Sequence, residues 1–419
     1  MKSNSILLLF LVWVVGGCQS TSEPTSSKVA EKADSLAQAY IITDGHIDLP
    51  YRLQVRGFRL QRQFLNFAED TEGEFDYPKA KAGGLDAPFM SIYVPTSYQG
   101  ALDAPLVKNR AKILADSLID LVQSITEAHP DKFALANSPD EVMANFEEGL
   151  VSLPMGMENG APLGDSLENV QYFFDRGIRY ITLTHGEVNR IGDSSYDTTR
   201  VWNGLSPFGE QVVQEMNRVG IMVDISHVSD STFYDVMEIA QAPCIASHSS
   251  TRYFTPGFER NMNDDMIKLL AENDGVIQIN FGSSFIDSVA RADGGKVRNA
   301  MRQYLEENNL DRNDSAFQAY AKQYMAENYP YADVKRVVDH IDHVVQIAGI
   351  DHVGFGSDFD GVGNTLPSGL KTVENYPNIV EELLKRGYTE EEVAKICYQN
   401  VFRVWQKVEA VAASMQADA

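Results

Sequence analysis

The chain is poor in cysteine and in positive charge, and beyond its first 20 residues it has no long apolar run. It has 3 cysteines in 419 residues, none in a Cys-x-x-Cys or zinc-finger spacing, which excludes a disulfide scaffold and a thiolate zinc module. The 35 Lys and Arg against 59 Asp and Glu give a formal net charge of −24. Such a surface repels nucleic acid and anionic lipid. No segment after the leader is apolar enough to span a bilayer. No glycine-rich phosphate fingerprint follows the first apolar run, which argues against a dinucleotide-binding open sheet. There is no internal repeat and no His-x-His pair. What remains is 44% hydrophobic and 10% aromatic, enough for the full core of one large α/β barrel.

The leader has its own character. Lys2 precedes the apolar run 6–15, and Gly16-Gly17-Cys18 follows it. A basic start, an apolar centre and small residues before a cysteine make a signal peptide with a lipoprotein-type cleavage site. The expectation is that residues 1–17 are removed and that Cys18 carries lipid, anchoring an exported bacterial lipoprotein to a membrane without spanning it. It would then face the periplasm or the cell surface. Residues 18–39, rich in Ser, Thr, Glu and Lys, read as a flexible tether, and 40–419 as a single catalytic domain. Cys244, in the apolar run 243–246, reads as a small buried hydrophobe, and its pairing with Cys397 is not decided by sequence.

From residue 40 onward, short apolar runs alternate with helical patterns. Eight runs read as strands: 40–43, 88–94, 150–157, 180–184, 221–226, 244–247, 276–280 and 353–357. Helical periodicity covers 106–129, 207–219, 229–240, 264–272, 334–348 and 373–386. A further helix opens at Ser138, with Pro139 and two acids in its first turn. Strand then helix, repeated eight times, predicts a parallel (β/α)8 barrel of the triosephosphate-isomerase type. The long acidic helical stretch 283–331, between the seventh and eighth strands, would cover the barrel's C-terminal face.

In such a barrel, chemistry sits at the C-terminal ends of the strands. His46 and Asp48 follow the first run, Glu158 the third, His185 the fourth, His227 the fifth, His248 the sixth and Asp358 the eighth. Four of the eight histidines thus fall at strand ends. Imidazole nitrogens and carboxylate oxygens are what zinc takes in a hydrolytic site. A carboxylate has two oxygens, so Glu158 can bridge two metals. His46, Asp48 and Glu158 would serve one; Glu158, His227 and His248 the other. Two ions about 3.5–4 Å apart can share a hydroxide and hold both nucleophile and attacked oxygen. The other histidines read differently. His129 looks like a solvated helix-end residue, and His340 and His343 like core or supporting residues. His352 begins the last strand, at the wrong end for chemistry.

With those residues assembled, the chain resembles the membrane dipeptidase (renal dipeptidase) family of metal-dependent amidohydrolases. The stretches that carry the resemblance are "DGHIDLPYR", "GMENG", "RYITLTH", "VDISHVSDST" with "APCIASHSSTR", and "VGFGSDFDG", in the family's order from about residue 41 to 408. His-x-Asp in place of His-x-His points to the dipeptidase branch. The resemblance implies a hydrolase with two Zn2+ per subunit, usually a homodimer, that cleaves dipeptides through a metal-bridging hydroxide. It implies His46, Asp48, Glu158, His227 and His248 as ligands, with His185 on the scissile carbonyl oxygen. Asp358 would lie near the substrate amine and the nucleophile. Arg260 would bind the substrate carboxylate, with Arg252 competing for that role. Asn159 stands where many members have Gly, a difference expected in the pocket wall. The same metal site acting on another amide, such as an N-acyl amino acid or a lactam, is the alternative reaction. A surface lipoprotein that binds peptide without catalysis is the non-enzymatic one.

Overall fold

The computed structural model describes residues 26–55, 68–69, 71, 73–102, 109–312 and 314–417; the leader and Cys18 lie outside them. Ten strands are present among these residues: β1 (Ile42–Ile47), β2 (Leu85–Tyr93), β3 (Phe133–Leu135), β4 (Val151–Leu153), β5 (Met155–Glu158), β6 (Ile178–Thr182), β7 (Met222–Asp224), β8 (Ile245–Ser249), β9 (Val276–Ile279) and β10 (Val353–Phe355). Eight of them form one all-parallel sheet in chain order, β1-β2-β5-β6-β7-β8-β9-β10. The two ends of the sheet meet. Ile47 bridges Phe359, Asp48 N–H donates to Phe359 O at 2.9 Å, and Asp358 N–H donates to His46 O at 3.1 Å. This is the expected (β/α)8 barrel. Its strands are covered on both faces, which is why they read as continuous apolar runs rather than as alternating ones.

The run 150–157 is a correction. Instead of one strand it makes two, separated by Pro154, which has no N–H to continue a ladder. β4 pairs with β3 in a small outer sheet, and only β5 joins the barrel. The helices between strands start and stop where side chains dictate. Ser138, Ser206, Ser229, Asn263 and Asp333 each accept a backbone N–H from the first turn of the helix they cap. Gly220, at φ 97°, ends Pro207–Val219 in a left-handed conformation that costs glycine nothing.

The barrel interior is packed solid at its lower end. The C-terminal helix Asn400–Ala417 sets Trp405 against Phe89, ring centroids 5.3 Å apart, and Phe89 lies 5.4 Å from Tyr180. Ile41, Met222, Ile245 and Val276 belong to the same buried cluster. At the upper end the segment after β9 forms three helices, Ser283–Ile286, Ser288–Asn308 and Ser315–Asn328, which provide the expected cover. Cys244 and Cys397 are unpaired and buried, and burial pushes both thiols up, Cys397 to about 12.

The second correction concerns 26–39 of the expected tether 18–39; residues 18–25 lie outside the described residues. Ser26–Ala39 is a helix packed on Tyr376–Lys385, with Ala33, Leu36 and Ala37 buried. Gln38 donates to Lys81 O and Ala82 O, and Lys32 pairs with Glu390 at 2.9 Å. The stripe Val29, Ala33, Leu36, Ala37 follows the i, i+4, i+7, i+8 spacing of a helical face. Its charged neighbours hid it from a reading by composition. Because Leu36 is 4% exposed, Leu36→Ala is expected to cost about 2–5 kcal/mol in denaturant unfolding. A loss below ~0.5 kcal/mol would mean the helix is not part of the cooperative unit.

Candidate active site

The chain brings His46, Asp48, Glu158, His185, His227, His248 and Asp358 together at the C-terminal ends of the strands. His46, Glu158 and His248 are the last or nearly last residues of β1, β5 and β8, and the others lie just beyond strand ends. Glu158 is the centre. Its Oε1 lies 3.0 Å from His227 Nε2, 3.2 Å from His248 Nε2 and 3.6 Å from His185 Nε2; its Oε2 lies 3.6 Å from His46 Nε2. Asp48 Oδ1 is 3.6 Å from the same His46 nitrogen. The two carboxylate oxygens therefore face two different groups of nitrogens. Among the described residues, donor atoms of His46, Glu158 and His248, of Glu158, His185 and His227, and of His46, Asp48 and Asp358 converge within 4.8 Å.

Some of these atoms have nothing to bond to. His46 Nε2 and Asp48 Oδ1 are buried without a hydrogen-bond partner. Leaving such atoms dry costs about 1–3 kcal/mol each. His227 Nε2 and His248 Nε2 are 2.9 Å apart, a spacing that fits an N–H···N hydrogen bond or a cation shared by the two lone pairs. The donor set, all imidazole and carboxylate, is what a borderline cation such as zinc prefers. The residues fit divalent metal.

Burial and charge shape the ionisation. Burial alone would raise Glu158, but His185, His46, His227 and His248 outweigh it and hold the carboxyl well below its usual range. Burial, then the charges of Asp48 and Glu158, push the Asp358 carboxyl well above the carboxylate range. Burial pushes His227 and His248 well down, and the Arg260 charge adds to it. His185 is lowered, chiefly by burial.

Strained backbone concentrates here. Asn159, His227, Asp358 and Asp360 all have positive φ, at 82°, 68°, 63° and 66°. Non-glycine residues in this region are uncommon and gather at functional sites. Gly361 packs against the site so closely that a Cβ there would overlap Asp358 Oδ1 and Asp48 Oδ2.

The two candidate arginines separate cleanly. Arg252 makes a two-pronged contact with Asp230, at 2.6 and 2.8 Å, and donates Nε–H to Asn261 O. Arg260 is 3% exposed, held by Ser249 Oγ at 2.6 Å and His248 O at 2.7 Å, and its Nε has no partner. Beside the cluster lies a cavity of about 390 Å³, lined in part by Glu158, His185, Asp358, Tyr93, Phe285 and Arg298. Phe285 and Arg298 come from the covering helices. Asn159, expected to alter the pocket wall, turns away: it donates to Val94 O and accepts from Ala161 N–H and Asn189.

Sequence reasoning missed Asn280. It stands directly after β9, where no polar residue had been singled out, and donates to Asp358 Oδ2 at 2.8 Å. Its place at a strand end was the available signal.

A family model described as Membrane dipeptidase (Peptidase family M19) matches residues 30–419. The chain belongs to the membrane dipeptidase family. This family assignment makes the chain a metallopeptidase-type hydrolase acting on peptide bonds. Among curated relatives, the dipeptidase tcpJ of Claviceps purpurea is 34% identical over 376 residues, 89% of this chain and 78% of that protein. Among solved structures, the probable dipeptidase PvdM of Pseudomonas aeruginosa superposes with a TM-score of 0.76 at 25% identity, covering 92% of this chain and all of that one. A metallopeptidase from Rhodobacter sphaeroides, liganded with a phosphinate mimic of the dipeptide L-Ala-D-Ala, superposes with a TM-score of 0.70 at 25% identity, covering 88% and 99% of the respective chains.

Three of the four remaining histidines of this dipeptidase-family chain make structural contacts. His340 is buried: its Nδ1 accepts Thr251 N–H at 3.1 Å and its Nε2–H donates to Ile286 O at 2.9 Å. His343 contacts Asp264 at 2.8 Å and His352 contacts Gly275 O at 2.8 Å, both away from the cluster.

Two predictions follow from this geometry. Gly361→Ala is expected to leave the melting temperature nearly unchanged and to lower kcat/KM at least ~10-fold, since displacement of catalytic groups by about 1 Å costs up to ~100-fold. Wild-type kcat/KM would remove the constraint. Burial pushes the His340 imidazole from its ordinary 6.5 down to about 3. As pH falls below 6.5 the unfolded chain takes a proton that the folded one refuses, so stability drops, by about 2 kcal/mol at pH 5 from this group. His340→Gln should flatten that part of the unfolding free energy against pH; an unchanged slope would refute it.

Proposed function

We propose that this chain is a zinc-dependent dipeptidase that holds two Zn2+ per subunit, one through His46, Asp48 and Glu158 and the other through Glu158, His227 and His248. The observation that carries the reading is the division of Glu158: Oε1 faces His227 and His248 while Oε2 faces His46. When bound, such ions polarise a carbonyl and make water a nucleophile near neutral pH. The chain's own residues do the rest. Arg260, with its unpartnered Nε at the cluster, offers a planar cation to the substrate's free carboxylate. His185, whose Nε2 faces the centre from the cavity wall, donates to the oxygen that becomes negative as the peptide carbon turns tetrahedral. Asp358, oriented by Asn280, takes the proton of the attacking water and returns it to the leaving amine.

The cavity of about 390 Å³, covered by Phe285 and Arg298, is near the small end of ligand sites and favours two residues over longer chains. The phosphinate dipeptide mimic bound by the Rhodobacter sphaeroides relative supports the same substrate class. Membrane attachment through lipid on Cys18, facing the periplasm or cell surface, belongs to the same proposal and rests on the leader. Assembly as a homodimer rests on the family resemblance.

The test uses protein lacking residues 1–18 on a panel of L-L and L-D dipeptides, N-acyl amino acids, a lactam and a tripeptide. Dipeptides are expected to be cleaved fastest. Exhaustive chelation should abolish turnover and added zinc restore it. Asp358→Asn should fold, bind zinc and lose at least ~100-fold in kcat. Preference for acylated compounds or the lactam would overturn the dipeptidase reading, activity surviving chelation would remove the metal, and near-normal turnover by Asp358→Asn would remove that residue's role.

A further inference from the structure

Two hydroxyl groups outside the ligand set hold the rings of His46 and His248, and they settle which nitrogen each ring presents to Glu158. Tyr180, on β6, donates its only proton to Gly45 O at 3.0 Å. The same hydroxyl lies 2.8 Å from His46 Nδ1. With its proton committed, it can only accept there, so Nδ1 carries hydrogen and Nε2 is the nitrogen turned to Glu158 and Asp48, the one left to give its lone pair to a cation. His248 repeats the logic. Ser247 Oγ donates to Asp224 Oδ2 at 2.6 Å and lies 2.7 Å from His248 Nδ1. Asp224 also accepts the Thr182 hydroxyl and, at Oδ1, the N–H groups of Ser226 and Ser247 at 3.0 and 2.9 Å. A carboxylate with four bonds has no proton to give, so Ser247 must accept from His248 Nδ1–H. His227 has no counterpart, for its Nδ1 is buried without a partner.

The barrel makes room for the first of these devices. A Cβ at Gly156 would stand inside the Tyr180 ring, so the absence of a side chain on β5 is what lets Tyr180 cross the interior to His46. The ring is fully buried and backed by Phe89.

We propose that Tyr180 and Ser247, the latter fixed by Asp224, are positioning residues that lock one histidine on each side of Glu158 in the Nε2-acceptor tautomer, so that each of the two metal positions has one such lock. This rests on the two-metal reading given above. Partners of this kind typically set metal affinity within a factor of about 10–100.

The test is a zinc titration against a competing chelator, with Tyr180→Phe, Ser247→Ala and the double variant. Nitrogen-15 spectra of the histidines are recorded on the metal-free proteins as pH is raised until each ring has lost its second proton, so that the neutral tautomer is read. Wild type is expected to bind two equivalents. Tyr180→Phe should weaken one of them by roughly 10–100-fold, Ser247→Ala the other, and the double variant both. The spectra should show Nδ1-protonated His46 and His248 in wild type, and a tautomer mixture at the ring that lost its hydroxyl. Gly156→Ala, which crowds Tyr180 without touching its hydroxyl, should reproduce the Tyr180→Phe pattern. Lower melting temperatures with both zinc affinities and both tautomers unchanged would reduce the two residues to packing and overturn the proposal. Weakening of the same equivalent by both single variants would overturn the one-lock-per-side assignment. Wild type that takes up no zinc would overturn the two-metal reading itself, and this proposal with it.

Discussion

The structure turns on one buried carboxylate. Glu158 sits at 3% exposure with four imidazoles around it, in a place where an unpaired charge would be expensive. Three of those rings belong to the expected ligand set and the fourth, His185, borders the cavity. Bringing them within about 3–3.6 Å of two oxygens requires five strand ends to arrive at one point. A closed parallel barrel does this without special loops, because every strand delivers its C-terminal end to the same mouth.

The rest of the fold keeps that convergence rigid. The lower half of the barrel is filled from Trp405 through Phe89 to Tyr180, so the tyrosine that touches His46 stands on a packed column. Asp44 accepts N–H groups from His46 and Ser357 and the hydroxyl of Tyr376, joining the first and last barrel strands just below the cluster. Above, Gly361 lets the chain press against two site carboxylates, and the covering helices contribute Phe285 and Arg298 to the wall of a cavity of about 390 Å³. The left-handed backbone at His227 and Asp358 is tolerated because both are held in this dense surround.

Much of this was legible beforehand, and the exceptions have physical causes. All eight barrel strands announced themselves as apolar runs, because strands covered on both faces must be apolar. Their ends shifted by a few residues: the first strand extends through His46, and the third ends a separate outer strand at Pro154 before the barrel begins. The helix Ser26–Ala39 was hidden by exposed Lys and Glu, although its buried stripe kept a helical period. Arg252 and Arg260 could not be told apart by spacing, since the difference is that Asp230, on another helix, holds the first.

By itself the sequence determined the residue types, their order and the period of each segment. These were enough for a parallel barrel, for the convergence of His46, Asp48, Glu158, His227 and His248 on one mouth, and for membership of the dipeptidase branch. Only the tertiary structure decided which atom faces which. That Glu158 turns one oxygen to each group, that Asn280 holds Asp358, and that Tyr180 crosses over Gly156 to reach His46 are relations between residues 24 to 134 positions apart. Local periodicity carries no information about such pairs. They are set by the stagger and packing of whole strands against one another, which exist only once the barrel has closed.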